Sequence, residues 1–207
     1  MQSSHMDINW LDLSSTAGLI ATAVLTVNLL LGILLSTAYK RSRYWKSMPG
    51  WIRKVSIDDL HNWTAYVALA FALAHPLLLL SDTSSKFRFR DILYPLNAPH
   101  QGIWIVPGCL ALYALIVVII TTQKAIKNRL GFRTWKNIHL ISYGTTLLFI
   151  IHGLVMDPEL KDRPVDWLDG EKMVSEICGL ALIATAVIRY RYYSRKRRKP
   201  GRVSVVQ

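Results

Sequence analysis

Residues 59–81 read DLHNWTAYVALAFALAHPLLLLS, an apolar run that contains two histidines, His61 and His75. An α-helix needs about 20 mostly apolar residues to cross the hydrocarbon core of a bilayer. The run therefore predicts a membrane-spanning helix, and Ser56 with Asp59 resembles a capping box that would start it. Imidazoles are costly to bury in a membrane without a partner, so both histidines are candidates for a functional site.

Four further apolar blocks have a similar length. They are Ser15–Ala38, Gly102–Thr122, Trp135–Met156 and Met173–Ile188. The chain is 52% apolar and only 18% charged, whereas soluble domains carry roughly 25% charged residues. Its charges are concentrated between the blocks, and a soluble fold would instead spread them along amphipathic faces. The sequence therefore predicts an all-α membrane protein, built as a five-helix transmembrane bundle.

The two ends of the chain are predicted to lie outside this bundle. The bundle would occupy residues 15–190, and residues 191–207 would form a basic cytoplasmic tail. Residues 1–14 would form an N-terminal tail that begins MQSSHM, which resembles an expression-tag remnant, so His5 is left out of the site. The first block has no basic segment before it, and we expect a retained helix rather than a signal peptide.

The Lys and Arg residues predict the orientation. Nineteen of the 25 follow the first and third blocks or lie in the C-terminal tail, and the other six follow the second and fourth blocks. Because cytoplasmic loops are enriched in Lys and Arg, the N-terminus is expected outside and the C-terminus in the cytoplasm, as in a bacterial inner or plasma membrane protein. The net charge of +12 then reflects contact with the lipid bilayer, and no nucleic-acid partner is expected.

The fourth block carries two more histidines, His139 and His152. At 1.5 Å per residue, His61 and His75 are about 21 Å apart along their helix, and His139 and His152 about 20 Å. The two helices run in the same direction, so His61 is level with His139, and His75 with His152. Each pair suits the two axial positions of one haem iron, which predicts two haem b groups stacked between helices two and four. An iron with two axial imidazoles has no open position, so the expected task is electron transfer.

Other interpretations of these residues remain open. His139 and His152 are thirteen residues apart, a spacing that does not return to the same helix face, so a bend near Gly144, a π-bulge or strong tilt of the fourth helix is expected. Pro76, directly after His75, predicts a local break in the second helix. Unrelated polar contacts are the main alternative for the histidines, and zinc is weaker because one tetrahedral site cannot span about 20 Å. His100 is expected at the surface or near the outer haem, and Cys109 and Cys178 as buried thiols.

Haem propionates need cations or hydrogen-bond donors at the membrane edge. Arg133 and Lys136 are candidates for the inner pair of histidines, and Arg88 and Arg90 for the outer pair. Contact with lipid headgroups is the alternative for all four residues.

The histidine pattern, together with residues 130–143 (LGFRTWKNIHLISY), resembles the ferric reductase-like transmembrane domain superfamily. That group includes ferric reductases, NADPH oxidases and the bacterial haem-binding subunit of the periplasmic methionine sulfoxide reductase system. The resemblance implies an inner haem on His61 and His139 and an outer haem on His75 and His152. Members often have six helices and a C-terminal flavin and nicotinamide domain. Here we expect five helices, one for each apolar block. We expect no FAD or NAD(P) site in this sequence, because no Gly-rich dinucleotide loop is present.

Three functions follow from these expectations. The first is a b-type cytochrome, an oxidoreductase component without catalytic residues of its own, that carries electrons from a flavoprotein or quinol to an outer acceptor. The second is a membrane subunit that passes quinol electrons to a periplasmic partner such as methionine sulfoxide reductase. The third, of another class, is a small proton-coupled transporter that uses the histidines as a relay.

Overall fold

The computed structural model describes residues 9–37, 39–100, 102–156 and 170–198. Within these ranges the chain is helical apart from short connections, and no strand is present. Five helices are long and apolar enough to span a membrane, and they are α1 (Trp10–Ser36), α2 (Ile57–Ser81), α3 (Gly102–Thr122), α4 (Lys124–Val155) and α5 (Gly170–Arg198). The predicted all-α architecture with five spans is confirmed, and the chain is an integral membrane protein.

Side-chain caps mark the starts of the first two spans. The Asn9 side chain accepts hydrogen bonds from the backbone N–H groups of Leu11 and Asp12 at the start of α1. At the start of α2, the Ser56 hydroxyl accepts from the N–H of Asp59 at 3.3 Å, as the sequence predicts. Such caps satisfy N–H groups that have no partner within the helix.

Several boundaries differ from the prediction. The basic stretch between the third and fourth blocks was expected to be a connector, but α4 begins at Lys124 and includes it. Lys, Arg and Asn dominate this stretch, and the long charged side chains are good helix formers. Gly131 interrupts the helical dihedral angles with φ 74° and ψ 158°, a conformation that favours glycine. The fifth span is also longer than predicted, because α5 covers Gly170–Arg198.

The helices beside the histidines are continuous. α2 continues through Pro76, and α4 has helical dihedral angles from residue 132 to residue 155, including Gly144. The predictions of a break at Pro76 and of a π-bulge at Gly144 were therefore wrong, whereas a bend or strong tilt of α4 stays a prediction. α1 packs along α2 at this level, where the Ser14 hydroxyl donates to the carbonyl of His75 at 2.8 Å.

Small residues bring the first three helices close together. α1 packs mainly on α2, α3 packs mainly on α4, and α1 also contacts α4 and α5. The central cluster joins Ala21 and Leu25 of α1 to Ala68 and Ala72 of α2 and to Leu115 of α3. Alanines at such positions allow close backbone approach, which is how membrane helices gain van der Waals contact without a hydrophobic driving force.

Large apolar side chains cover the outside of the bundle. Val27, Leu77, Val117 and Ile183 are each more than two-fifths exposed in the isolated chain. Contiguous apolar surface of this kind is a liability in water and is expected for helices in contact with lipid. Successive spans cross the membrane in opposite directions, so the starts of α1, α3 and α5 share one side, which we call the amino-terminal side.

The α1–α2 packing can be tested by enlarging one buried alanine. Ala68 is 0% exposed, whereas Ala70 lies on the exposed face of the same helix. We expect Ala68→Leu to destabilise the protein by about 1–3 kcal/mol, because the added methyl groups overpack the helix interface. Ala70→Leu is the matched control and should change stability by less than about 0.5 kcal/mol. Thermal unfolding in detergent measures both, and equal shifts would contradict the packing.

Candidate functional site

Four histidine rings from α2 and α4 face one another in two pairs. The ring centroids of His61 and His139 are 6.0 Å apart with an interplanar angle of 74°. Those of His75 and His152 are 6.1 Å apart at 75°. These are the pairs that the sequence predicts, and the two have nearly the same geometry. The His75–His152 pair lies towards the amino-terminal side, and the His61–His139 pair towards the opposite side.

The separation within each pair suits a metal ion between two imidazoles. A metal–imidazole bond is about 2 Å long, and the ring centroid lies about 1 Å behind the nitrogen, so two rings on opposite sides of one ion have centroids about 6 Å apart. No hydrogen bond joins the two rings of either pair. Among the described residues no group of three or more His, Cys, Asp or Glu side chains could hold a metal ion. A metal here would take its remaining ligands from a macrocycle, which fits a haem with two axial imidazoles.

Backbone carbonyls fix the orientation of three of the four rings. The Nδ1 atoms of these rings bond to carbonyl oxygens, which join His61 to Asn28 (3.0 Å), His75 to Ser14 (2.7 Å) and His152 to Trp104 (2.9 Å). A carbonyl oxygen can only accept, so each Nδ1 donates and carries the proton. The neutral ring then has a free lone pair on Nε2, which is the state of a histidine prepared to bind a metal.

A glycine stands four residues after each accepting carbonyl. They are Gly32 after Asn28, Gly18 after Ser14 and Gly108 after Trp104. An added Cβ would lie 3.3 Å from the His61 ring at Gly32, 3.1 Å from the His75 ring at Gly18 and 2.9 Å from the His152 ring at Gly108. In an α-helix, residue i+4 covers the carbonyl of residue i. Without a Cβ there, the imidazole reaches the carbonyl, and we call this carbonyl with its glycine an imidazole seat.

The seats on α1 repeat at the spacing of the histidines. Gly18 and Gly32 are 14 residues apart, and so are His61 and His75 on the antiparallel helix α2. Fourteen residues are close to four turns, so both seats lie on one face of α1. These glycines were not among the predicted site residues, although the spacing of Gly18 and Gly32 matches that of the histidines in the sequence itself.

His139 has no such seat. Its Nδ1 is buried and has no hydrogen-bond partner within the described part of the chain. On α3, Val118 and Thr122 lie fourteen residues after Trp104 and Gly108, where a second seat would be expected. Thr122 carries a branched Cβ in place of the glycine. Trp135 stacks on the His139 ring instead, with centroids 5.3 Å apart and planes at 21°. Lys127 Nζ in turn lies 3.9 Å from the Trp135 ring centroid, a cation–π contact.

A mostly apolar cavity adjoins the His75–His152 pair. It is lined by both rings and by residues that include Gly18, Phe149 and Cys109. Sites that bind cofactors are lined mainly by apolar groups with a few polar ones. The lining of the cavity therefore suits an apolar macrocycle beside these imidazoles.

The predicted cations are not part of this cavity. Arg88 and Arg90 are exposed and do not line it, and Arg90 lies 3.7 Å from the Asp91 carboxylate. On the opposite side, Arg133 is exposed, and Lys136 Nζ lies 5.7 Å from the ring centroid of Phe132. Propionate binding by these residues stays a prediction.

The remaining candidates from the sequence lie elsewhere. His100 is exposed, so its role near the outer haem stays a prediction. Cys109 and Cys178 are free, buried thiols, as predicted. Lys172, in the first turn of α5, also lines the cavity, and it was not among the predicted site residues. In the sequence Lys172 follows an acidic connector, and only the fold brings the first turn of α5 beside His152.

Comparison with known protein families assigns the chain to one of them. The sequence model of the family described as "Ferric reductase like transmembrane component" matches residues 17–150, which include His61, His75 and His139. No curated protein matches the chain at the threshold applied. The family match covers more than half of the chain and extends from α1 into the last turns of α4. The chain therefore belongs to the ferric reductase-like transmembrane family.

Proposed function

We propose that this protein is a b-type cytochrome that carries electrons across the membrane through two haems. The observation that carries the proposal is the pair of matched histidine sites, in which the ring centroids are separated by 6.0 and 6.1 Å. His61 and His139 would hold one iron, and His75 and His152 the other. Haem supplies a one-electron couple when bound. Membership of the ferric reductase-like family supports a membrane electron-transfer component.

The protein's own contribution is to hold the imidazoles in a fixed orientation. Three Nδ1–H groups are fixed by backbone carbonyls, so these rings need not reorient when charge changes at a bound iron. Hydrogen bonds of this kind also raise the basicity of the ligating nitrogen. With both axial positions filled, a bound iron would relay electrons rather than bind a substrate.

The spacing of the two pairs suits a relay across the bilayer. His61 and His75 are 14 residues apart on the uninterrupted helix α2, which corresponds to about 21 Å. One pair would lie near each face of a hydrocarbon core about 30 Å thick. We propose that electrons enter from a flavoprotein or quinol on the cytoplasmic side and leave to an acceptor outside, the orientation given by the Lys and Arg distribution.

The histidine geometry does not favour the transporter alternative. A proton relay needs rings that exchange hydrogen bonds with one another or with water. Here the paired rings form no hydrogen bond with each other, and three Nδ1 protons are committed to backbone carbonyls. These features favour metal ligation over proton transfer.

Removing the histidines one at a time tests the ligand assignment. We expect the purified protein to contain two haems per chain and to show sharp b-type bands after reduction with dithionite. His61→Ala and His139→Ala should each lose the same haem, and His75→Ala and His152→Ala the other, because each iron loses one axial ligand. Haem content by pyridine haemochrome and potentiometric titration measure this outcome. A colourless wild-type protein would sink the proposal.

The imidazole seat on α3 gives a second test. In Gly108→Ala the new methyl group would lie 2.9 Å from the His152 ring, so the ring must move away from the Trp104 carbonyl. We expect partial or complete loss of the haem at the His75–His152 pair, with the other haem retained. Gly144→Ala on α4 is the control, because nothing lies within 4 Å of the added Cβ. Electron paramagnetic resonance of the ferric haems resolves the two sites, and identical spectra for the two variants would refute the seat.

A further inference from the structure

Lys172 is a buried cation beside the His75–His152 pair. It lies in the first turn of α5, is only 7% exposed and lines the cavity. Lysine is almost never buried unless its charge is paired. Within the described ranges its ammonium group forms no ion pair or hydrogen bond, and the one ion pair found there joins Arg90 to Asp91. An anion beside this ammonium group would offset the cost of burying its charge, and the described residues do not supply one.

The helix around Lys172 offers no other explanation for the charge. The start of a helix carries partial positive charge, so a lysine in the first turn is disfavoured and an anion is favoured. Ser175, one turn further along the same face of α5, is also fully buried, and its hydroxyl has no partner among the described residues. It packs against Gly153 of α4, which lines the same cavity. Lys172 thus lines the cavity, and Ser175 lies beside Gly153 at its edge.

We propose that Lys172 binds a carboxylate in this cavity, and that the carboxylate is a propionate of the haem held by His75 and His152. That a haem supplies the carboxylate rests on the function proposed above. A carboxylate on an incoming electron acceptor has the same chemistry, so the experiment must distinguish it from a haem propionate. An ammonium–carboxylate pair is a charge-assisted bond, which is stronger than a neutral hydrogen bond and persists in an apolar cavity.

Two measurable properties of the haem depend on this contact. The bond would slow dissociation of that haem, because one end of the macrocycle is anchored to α5. The positive charge would also stabilise the reduced, less positive iron, and its removal should lower the reduction potential of that haem. The haem at His61 and His139 serves as an internal reference in the same molecule.

The experiment compares Lys172→Met with Lys172→Arg and Lys86→Met in the full chain. Lys86 is an exposed lysine on the same side of the membrane, so its replacement removes the same charge without reaching the cavity. We expect Lys172→Met to release the haem of the His75–His152 pair about tenfold faster, the loss expected for one charge-assisted bond. Its reduction potential should fall. Lys172→Arg and Lys86→Met should keep wild-type release and potential, and the other haem should not change in any variant.

A second arm changes the ligand and keeps the protein intact. Wild-type protein reconstituted with haem dimethyl ester, which lacks propionate carboxylates, should release it about as fast as Lys172→Met releases haem. With the ester, Lys172→Met and wild type should release at equal rates. This comparison holds even if Lys172→Met assembles poorly, because the wild-type protein alone reports the loss of the carboxylates.

The outcomes separate the two carboxylate sources. Faster haem release with a lower potential supports the propionate. Unchanged release and potential, with a raised KM for ferric citrate but not for the cationic acceptor hexaammineruthenium, assigns the carboxylate to the acceptor. If a two-haem Lys172→Met protein retains wild-type release, potential and KM, the binding role of Lys172 is wrong while the proposed function stands. A wild-type protein without haem overturns the proposed function itself.

Discussion

The hydrogen bond from an imidazole Nδ1 to a backbone carbonyl is the interaction on which the site depends. A carbonyl inside an α-helix already accepts a bond from the N–H four residues later, and the side chain of that residue normally covers it. Gly18, Gly32 and Gly108 remove that cover. Three histidines thereby gain a fixed ring orientation and a fixed tautomer from backbone carbonyls, and the Ser14 hydroxyl also lies 3.0 Å from His75 Nδ1. The bundle needs no buried acid to orient these rings, which avoids placing further charge in the membrane.

This interaction also explains why α1 lies at the centre of the bundle. α1 carries no histidine in its span, yet it supplies the seats for both histidines of α2 and packs on α2, α4 and α5. The side chain of Asn28 donates to the carbonyl of His61, and the Ser14 hydroxyl donates to that of His75. Imidazoles of α2 donate to carbonyls of α1, and side chains of α1 donate to carbonyls of α2. These contacts fix the register of α1 and α2, so the same residues define helix packing and ring position.

Sequence patterns could predict the spans and the histidine pairs, because both follow from regular helix geometry. Apolar length gives the five helices, and a rise of 1.5 Å per residue places His61 level with His139 and His75 level with His152. Packing decided what the patterns could not. α2 stays helical through Pro76, the basic stretch before Gly131 joins α4, and Lys172 reaches the cavity only when α5 docks beside α4.

The residue at position 122 of α3 explains why the fourth histidine is supported differently. A seat needs a carbonyl and a residue four positions later within one helix. At the level of His139 those positions would be Val118 and Thr122, and Thr122 is the last residue of α3. Its hydroxyl bonds back to the carbonyl of Ile119 at 2.6 Å, as is common where a helix runs out of N–H partners. Thr122 carries a Cβ where a seat needs a glycine, so the His139 ring is instead stacked against the indole of Trp135 on its own helix. The two histidine pairs therefore share one spacing but differ in what fixes it, with backbone carbonyls on both rings of one pair and on a single ring of the other.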